Sequence, residues 1–159
     1  MKNSPDRIRR QSAMALATRD ERARLEALTA LNGVAAPTAS AILTLTNPRR
    51  YGVIDIRVWQ LLFDLGSVRT KPGGTGFTFD EWRDYLAVLR LHAKQLGVSV
   101  RAVEYSLFLY HQRVQEGVLY GGRRDRSRIH GQDKHFRVRF DQCPIVALRG
   151  ARELCSSRC

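Results

Sequence analysis

Two kinds of chemistry-bearing residue lie close together in Leu31–Asp55, LNGVAAPTASAILTLTNPRRYGVID. The first is a glycine turn, Asn32-Gly33-Val34-Ala35, with a helix opening behind it near Pro37 and Thr38. A glycine turn lets backbone N–H groups reach a phosphate with no Cβ in the way, and the helix that follows adds the positive end of its dipole. Such a clamp grips a nucleic-acid backbone without reading base sequence. The second is a single acid, Asp55, after the apolar pair Val53-Ile54. It is placed to sit beside a strand held by the turn, and equally to cap the helix IRVWQLLFDL, a role worth about 1 kcal/mol. Gly33, Val34, Ala35 and Thr38 are therefore candidate backbone contacts. Arg49 and Arg50 are candidate phosphate ligands, with Arg57, Arg69 and Lys71 in reserve. What Asp55 does, cap or carboxylate beside a bound strand, is the main question this stretch poses. The plain alternative for the turn is an ordinary packing turn between two helices.

The elements that must position these residues read as helices throughout the first three quarters of the chain. Residues 1–17 are basic and Ala-rich, with Ile8, Met14 and Leu16 as a weak apolar face. Thr18 and Glu21 have capping-box spacing. RDERARLEALTAL sets Leu25, Leu28 and Leu31 on one side of a helix that Asn32-Gly33 stops. Pro37 suits the first turn of the next helix, TASAILTLT, which is apolar on most sides and is expected to be buried until Asn47-Pro48 ends it. After Asp55 the helix IRVWQLLFDL runs to Gly66. SVRTKPGGTGF has no period and reads as a flexible basic loop. Thr78 and Glu81 form a second capping box before FDEWRDYLAVLRLHAKQL, which Gly97 ends. Ser99 caps VRAVEYSLFLYHQRVQ, and Gly117 closes the periodic region. Trp59, Trp82 and Tyr85 fall at helical spacing and are expected in the core rather than on a base. His92 and His111 read as ordinary packed or surface histidines.

From residue 118 onward the helical period is lost. Half of the chain's net charge of +12 lies beyond residue 120, and FRVRF is the one segment with strand alternation. The expected organisation is an all-α domain over 1–117, a helical bundle containing a helix-hairpin-helix, followed by an irregular, mobile basic tail over 118–159. An arginine-rich cationic chain of this size suits phosphate polymers as partners. No apolar run is long enough to span a membrane, and the start lacks the h-region of a secretory signal. Three cysteines, Cys143, Cys155 and Cys159, are too few and too irregular for a disulfide framework, so a cytoplasmic setting is expected. No metal site is expected from them with His130 or His135, and no cofactor is implied. The oligomeric state is not encoded in any of these patterns.

LNGVAAPTASAILTLTNPRRYGVIDIRVWQLL resembles the central motif of the helix-hairpin-helix DNA glycosylase superfamily, the group that includes endonuclease III. The shared residues are Leu31, Gly33, Val34, Thr38, Ala39 and Asp55, with Val53-Ile54 as the apolar lead-in. The resemblance covers about 32 residues. It implies a double-stranded DNA partner and base excision repair chemistry, in which Asp55 stabilises the positive charge that builds on the sugar as an N-glycosidic bond breaks on a flipped nucleotide. Asn32 stands in place of the motif's proline and Ala35 in place of its second glycine. Pro37 occupies the position of the lyase lysine, 18 residues before Asp55. A proline cannot act as a nucleophile, so the resemblance implies a monofunctional hydrolase. The alternative is a non-catalytic DNA-binding module of the same fold. A third reading is a helical domain whose basic tail binds RNA or acidic partners.

Overall fold

Helix starts in this chain are written by short polar side chains, and five of the six observed helices begin that way. The computed structural model of the protein describes residues 2–114; among these there are six α-helices and no strand. Helix α1 (Pro5–Ala17) starts behind Ser4, whose hydroxyl accepts from Arg7 N, with proline in its first turn. Helix α2 (Glu21–Thr29) starts behind Asp20, which accepts from Ala23 N at 2.6 Å. Thr18 is not the cap that its spacing to Glu21 suggests. Because α1 runs on to Ala17, Thr18 is used as that helix's C-cap, and its hydroxyl accepts from Asp20 N at 3.1 Å.

Helix α3 (Ala36–Thr46) follows the glycine turn, and α4 (Ile56–Asp64) follows Asp55. Helix α5 (Phe79–Leu96) has the full Thr78–Glu81 capping box and ends at Gly97 in a left-handed conformation. Helix α6 (Val100–Val114) begins behind Ser99, whose hydroxyl accepts from Ala102 N at 3.1 Å.

Residues Met1–His111 form one compact unit. Helix α1 packs on α2, and α2 on α3. Leu25, Leu28 and Leu31 are buried together as the spacing predicts, whereas Ile8, Met14 and Leu16 are exposed and only Ala15 of α1 is fully covered. The core centres on Tyr51, Trp59, Trp82 and Tyr85, with Tyr51 and Trp82 stacked at 6.1 Å. Helix α3 is not buried all round, since Leu45 is 87% exposed. Its inward face instead contains Ser40 and Thr44, made compatible with burial by bonds to the backbone, Ser40 Oγ to Pro37 O and Thr44 Oγ1 to Ser40 O, both 2.7 Å.

The 67–77 segment is held rather than free. Trp59 Nε1 donates to Lys71 O at 2.9 Å, Lys71 Nζ pairs with Glu81 at 2.6 Å, and Phe77 packs on Trp59. Burial pushes the Glu81 carboxyl up, but bonds from Lys71 and Thr78 outweigh it and leave its pKa below the usual value. The boundary at 117, the 118–159 tail, FRVRF, the three cysteines, His130 and His135 lie outside the described residues.

Candidate nucleic-acid interface and acid site

The turn between α2 and α3 is built around Gly33, whose φ of +79° is the left-handed region that an L side chain rarely adopts. Nothing lies within 4 Å of where its Cβ would be, so the turn's outer side is open. Ala35 needs no glycine, because its φ of −96° and ψ of 175° are ordinary extended backbone. Asn32 is anchored from the chain start: its N–H donates to Asn3 Oδ1 at 2.9 Å, and Asn3 Nδ2 donates to its carbonyl at 3.0 Å. Arg7 donates to Ala30 O from the same side. Val34 N closes the turn onto Leu31 O.

That leaves the N–H groups of Gly33, Ala35, Ala36 and Thr38 without a hydrogen bond among the described residues. Gly33, Ala35 and Thr38 are exposed. No side chain caps α3 and no acid lies in its first turn. The positive end of this 11-residue helix therefore faces outward with no neutralising group of its own.

Asp55 is tied to the same helix. Ser40, one turn into α3, donates from Oγ to Pro37 O and accepts Ile54 N at 3.0 Å in a buried bond. Two further helices hold the preceding peptide. Tyr85 of α5 donates its hydroxyl to Val53 O at 2.7 Å, and Glu104 of α6 accepts Val53 N at 3.4 Å. Gly52 lets the chain pass this close, since a Cβ there would meet Leu89 Cδ1 at 2.8 Å and Glu104 Cβ at 3.0 Å. Asp55 itself is half-buried, and its Oδ1 accepts Arg57 N at 2.8 Å as the N-cap of α4.

Around the acid stand groups that pattern-reading passed over or took as packing. Glu104 is 2% exposed and ion-paired to Arg101. Burial pushes its carboxyl above the usual range, and the Asp55 charge adds to that against the pull of Arg101. Burial likewise raises the Tyr85 phenol, with Glu104 and Asp55 contributing. His111 is 4% exposed with no partner for Nδ1 among the described residues, and burial, then Arg57, hold it toward the neutral form. Arg57 lies over the Phe108 ring at 5.9 Å. One signal for this cluster was available in the sequence: Glu104 and His111 fall on the apolar stripe Val100, Val103, Leu107 of α6.

The arginines are placed elsewhere. Asn47 O accepts Arg50 N, and Arg50 Nη2 pairs with Glu21 at 2.9 Å, at the start of α2. Arg49 and Arg50 thus lie at the far end of α3 from Gly33, roughly 16 Å away at 1.5 Å per residue. Arg50 is committed to an ion pair, whereas Arg49 is exposed and has no ion-pair partner among the described residues. Lys71 is committed to Glu81.

No helix among the described residues is long and apolar enough to cross a membrane, and no group of three or more His, Cys, Asp or Glu side chains there could hold a metal ion. No family model matches the chain, and neither a curated protein nor a solved structure matches it.

Proposed function

We propose that the protein is a helix-hairpin-helix DNA-binding protein, of the kind built like a monofunctional DNA glycosylase, gripping duplex backbone at Gly33–Thr38 and presenting Asp55 to a flipped nucleotide. The observation that carries this reading is the start of α3: of the six helices among the described residues it alone lacks a capping side chain, and a left-handed glycine delivers it to the surface. A phosphate oxygen there would accept the N–H groups that no described residue satisfies, at the favourable end of the helix dipole. The Ser40–Ile54 bond supports the second half of the reading, because it links that clamp to the segment carrying the acid.

At Asp55 the chemistry would be electrostatic. A carboxylate held beside the anomeric carbon stabilises the developing oxocarbenium charge and orients the attacking water. Arg57 and the Arg101–Glu104 pair set the field in which it works. The alternative, a non-catalytic module of the same fold, is favoured by one observation: Asp55 already has a structural task as the cap of α4.

The deciding experiment is base release from a panel of lesion and mismatch duplexes by the full chain, with Asp55→Asn alongside. Asparagine caps a helix about as well as aspartate, so the variant should remain folded and bind duplex. Release by the natural chain and none by the variant supports the glycosylase; salt-dependent duplex binding without release by either supports the module. If binding disappears on deletion of 118–159 and is indifferent to Gly33, the tail carries it and the hairpin is only a turn.

A further inference from the structure

At the opposite end of the hairpin, three arginines from three elements converge on one ring. The guanidinium carbons of Arg24 (α2), Arg50 (the loop after α3) and Arg90 (α5) lie 5.8, 5.8 and 5.5 Å from the Tyr51 centroid. One carboxylate, Glu21, serves two of them. Glu21 Oε1 accepts Arg50 Nε, Arg50 Nη2 and Arg90 Nη2 at 3.1, 2.9 and 2.7 Å, and Oε2 accepts Arg90 Nη1 at 3.1 Å. Burial pushes Glu21 up, but the bonds and charges of Arg90 and Arg50 outweigh it, so it stays ionised to below the usual carboxylate range. The neighbouring Asp20 is occupied with Ala23 N.

Three guanidiniums against one carboxylate leave a surplus of two positive charges. They also leave a surplus of donors. Arg24 Nε is buried without a partner, its Nη2 being spent on Thr18 O. Tyr51 is 0% exposed, and its hydroxyl neighbours the Arg50 guanidinium yet has no acceptor in hydrogen-bonding geometry among the described residues. A guanidinium can only donate, so it cannot take the phenol's proton. Buried donors of this kind ordinarily find an acceptor. Of the paired arginines Arg50 is the more exposed, its side chain at 51% against 32% for Arg90.

We propose that Arg24, Arg50, Arg90 and the Tyr51 hydroxyl form an oxyanion site that takes a phosphate group. Planar guanidiniums fork onto phosphate oxygens, and the phenol supplies a further donor. The site is separate from the α3 start and does not involve Asp55, so it stands whether or not the acid is catalytic. The phosphate is either one of a nucleic-acid backbone or a free one.

The test is the thermal upshift that inorganic phosphate gives the full chain, measured against chloride at equal ionic strength, since a ligand bound only by the folded state raises its melting temperature. Phosphate should stabilise the natural chain more than chloride does, and Tyr51→Phe and Arg24→Gln should each lose most of the difference. Tyr51→Phe keeps the ring and removes a hydroxyl that has no acceptor among the described residues, so it should fold as well as the parent. Equal effects of phosphate and chloride, or an upshift kept by both variants, would overturn the site. Duplex titrations of the same variants then identify the source. Weakened binding assigns the site to a backbone phosphate, and unchanged binding assigns it to a free one. Ala35→Asp, which alters only the clamp, should keep the phosphate upshift, so failure of the clamp and failure of this site are read separately.

Discussion

Two helices begin within 20 residues of each other on either side of the same buried serine, and they begin in opposite ways. At α4 the start is closed: Asp55 places a negative charge on the first turn and accepts one of its N–H groups. At α3 the start is open: Ala35 has nothing to offer, and proline supplies the fixed φ without an N–H to satisfy. A closed start repels an incoming anion and an open one receives it. Ser40 thus joins a helix that starts without a cap to the segment leading into one that a carboxylate caps. The difference shows that a capping deficit can be as informative as a cap.

The largest way to break this pairing is Ser40→Ala. It strands the buried Ile54 N–H, which should cost about 1–3 kcal/mol in denaturant unfolding. Because the same hydroxyl ties Pro37 to Ile54, the two helix starts should also exchange amide protons faster, and protection confined to one of them would show that they are not linked. At Gly33 a Cβ would meet no atom within 4 Å, but Gly33→Val forces a β-branched residue to positive φ. About 1–2 kcal/mol of stability should be lost, with duplex binding weakened. Unchanged binding would remove the turn from any role in DNA contact.

Ala35→Asp sharpens the comparison by closing the open start. The extended backbone at Ala35 suits a cap, so the melting temperature should rise, equivalent to about 1 kcal/mol. Duplex affinity should meanwhile fall by about tenfold, or ~1.4 kcal/mol, from the added negative charge. Stability and binding moving in the same direction would count against the clamp. The smallest effect is on pH. His111 is held below its ordinary value of 6.5, so the unfolded chain takes the proton first. Stability should decline as pH falls from 6.5 to the lowered folded-state value, and be flat in this respect below it. Glu104 runs the other way. Its folded-state value lies above 4.5, so its contribution is full below 4.5 and is lost as pH rises through the folded value. His111→Gln should flatten the slope just below pH 6.5 and leave the Glu104 slope intact.

Most of the scaffold was legible because helix boundaries are local statements. Asp55, Thr78 with Glu81, Ser99, Gly66 and Gly97 each act within a few residues of themselves. Thr18 misled because a cap is used by whichever helix reaches it first, and α1 reached it. Leu45 misled because α3 buries serine and threonine, whose self-bonding hydroxyls no hydropathy pattern registers. What surrounds Asp55 was not legible. Glu104 meets Val53 across 51 positions and Tyr85 meets it across 32, and nothing local announces either. The split of the candidate phosphate ligands between the two ends of α3 was hidden for the same reason. Residues close in sequence are carried apart by the helix between them.

The reciprocal pair between Asn3 and Asn32 makes the turn a composite object. Its geometry is completed by a side chain 29 positions upstream, outside any helix. Replacing Asn3 with alanine would remove no helical turn, yet it would undo both bonds of the clasp and loosen the backbone that leads into Gly33. Any ligand of this turn would then have to supply the ordering itself and would bind more weakly for it. The shape of the turn is set in part by Asn3.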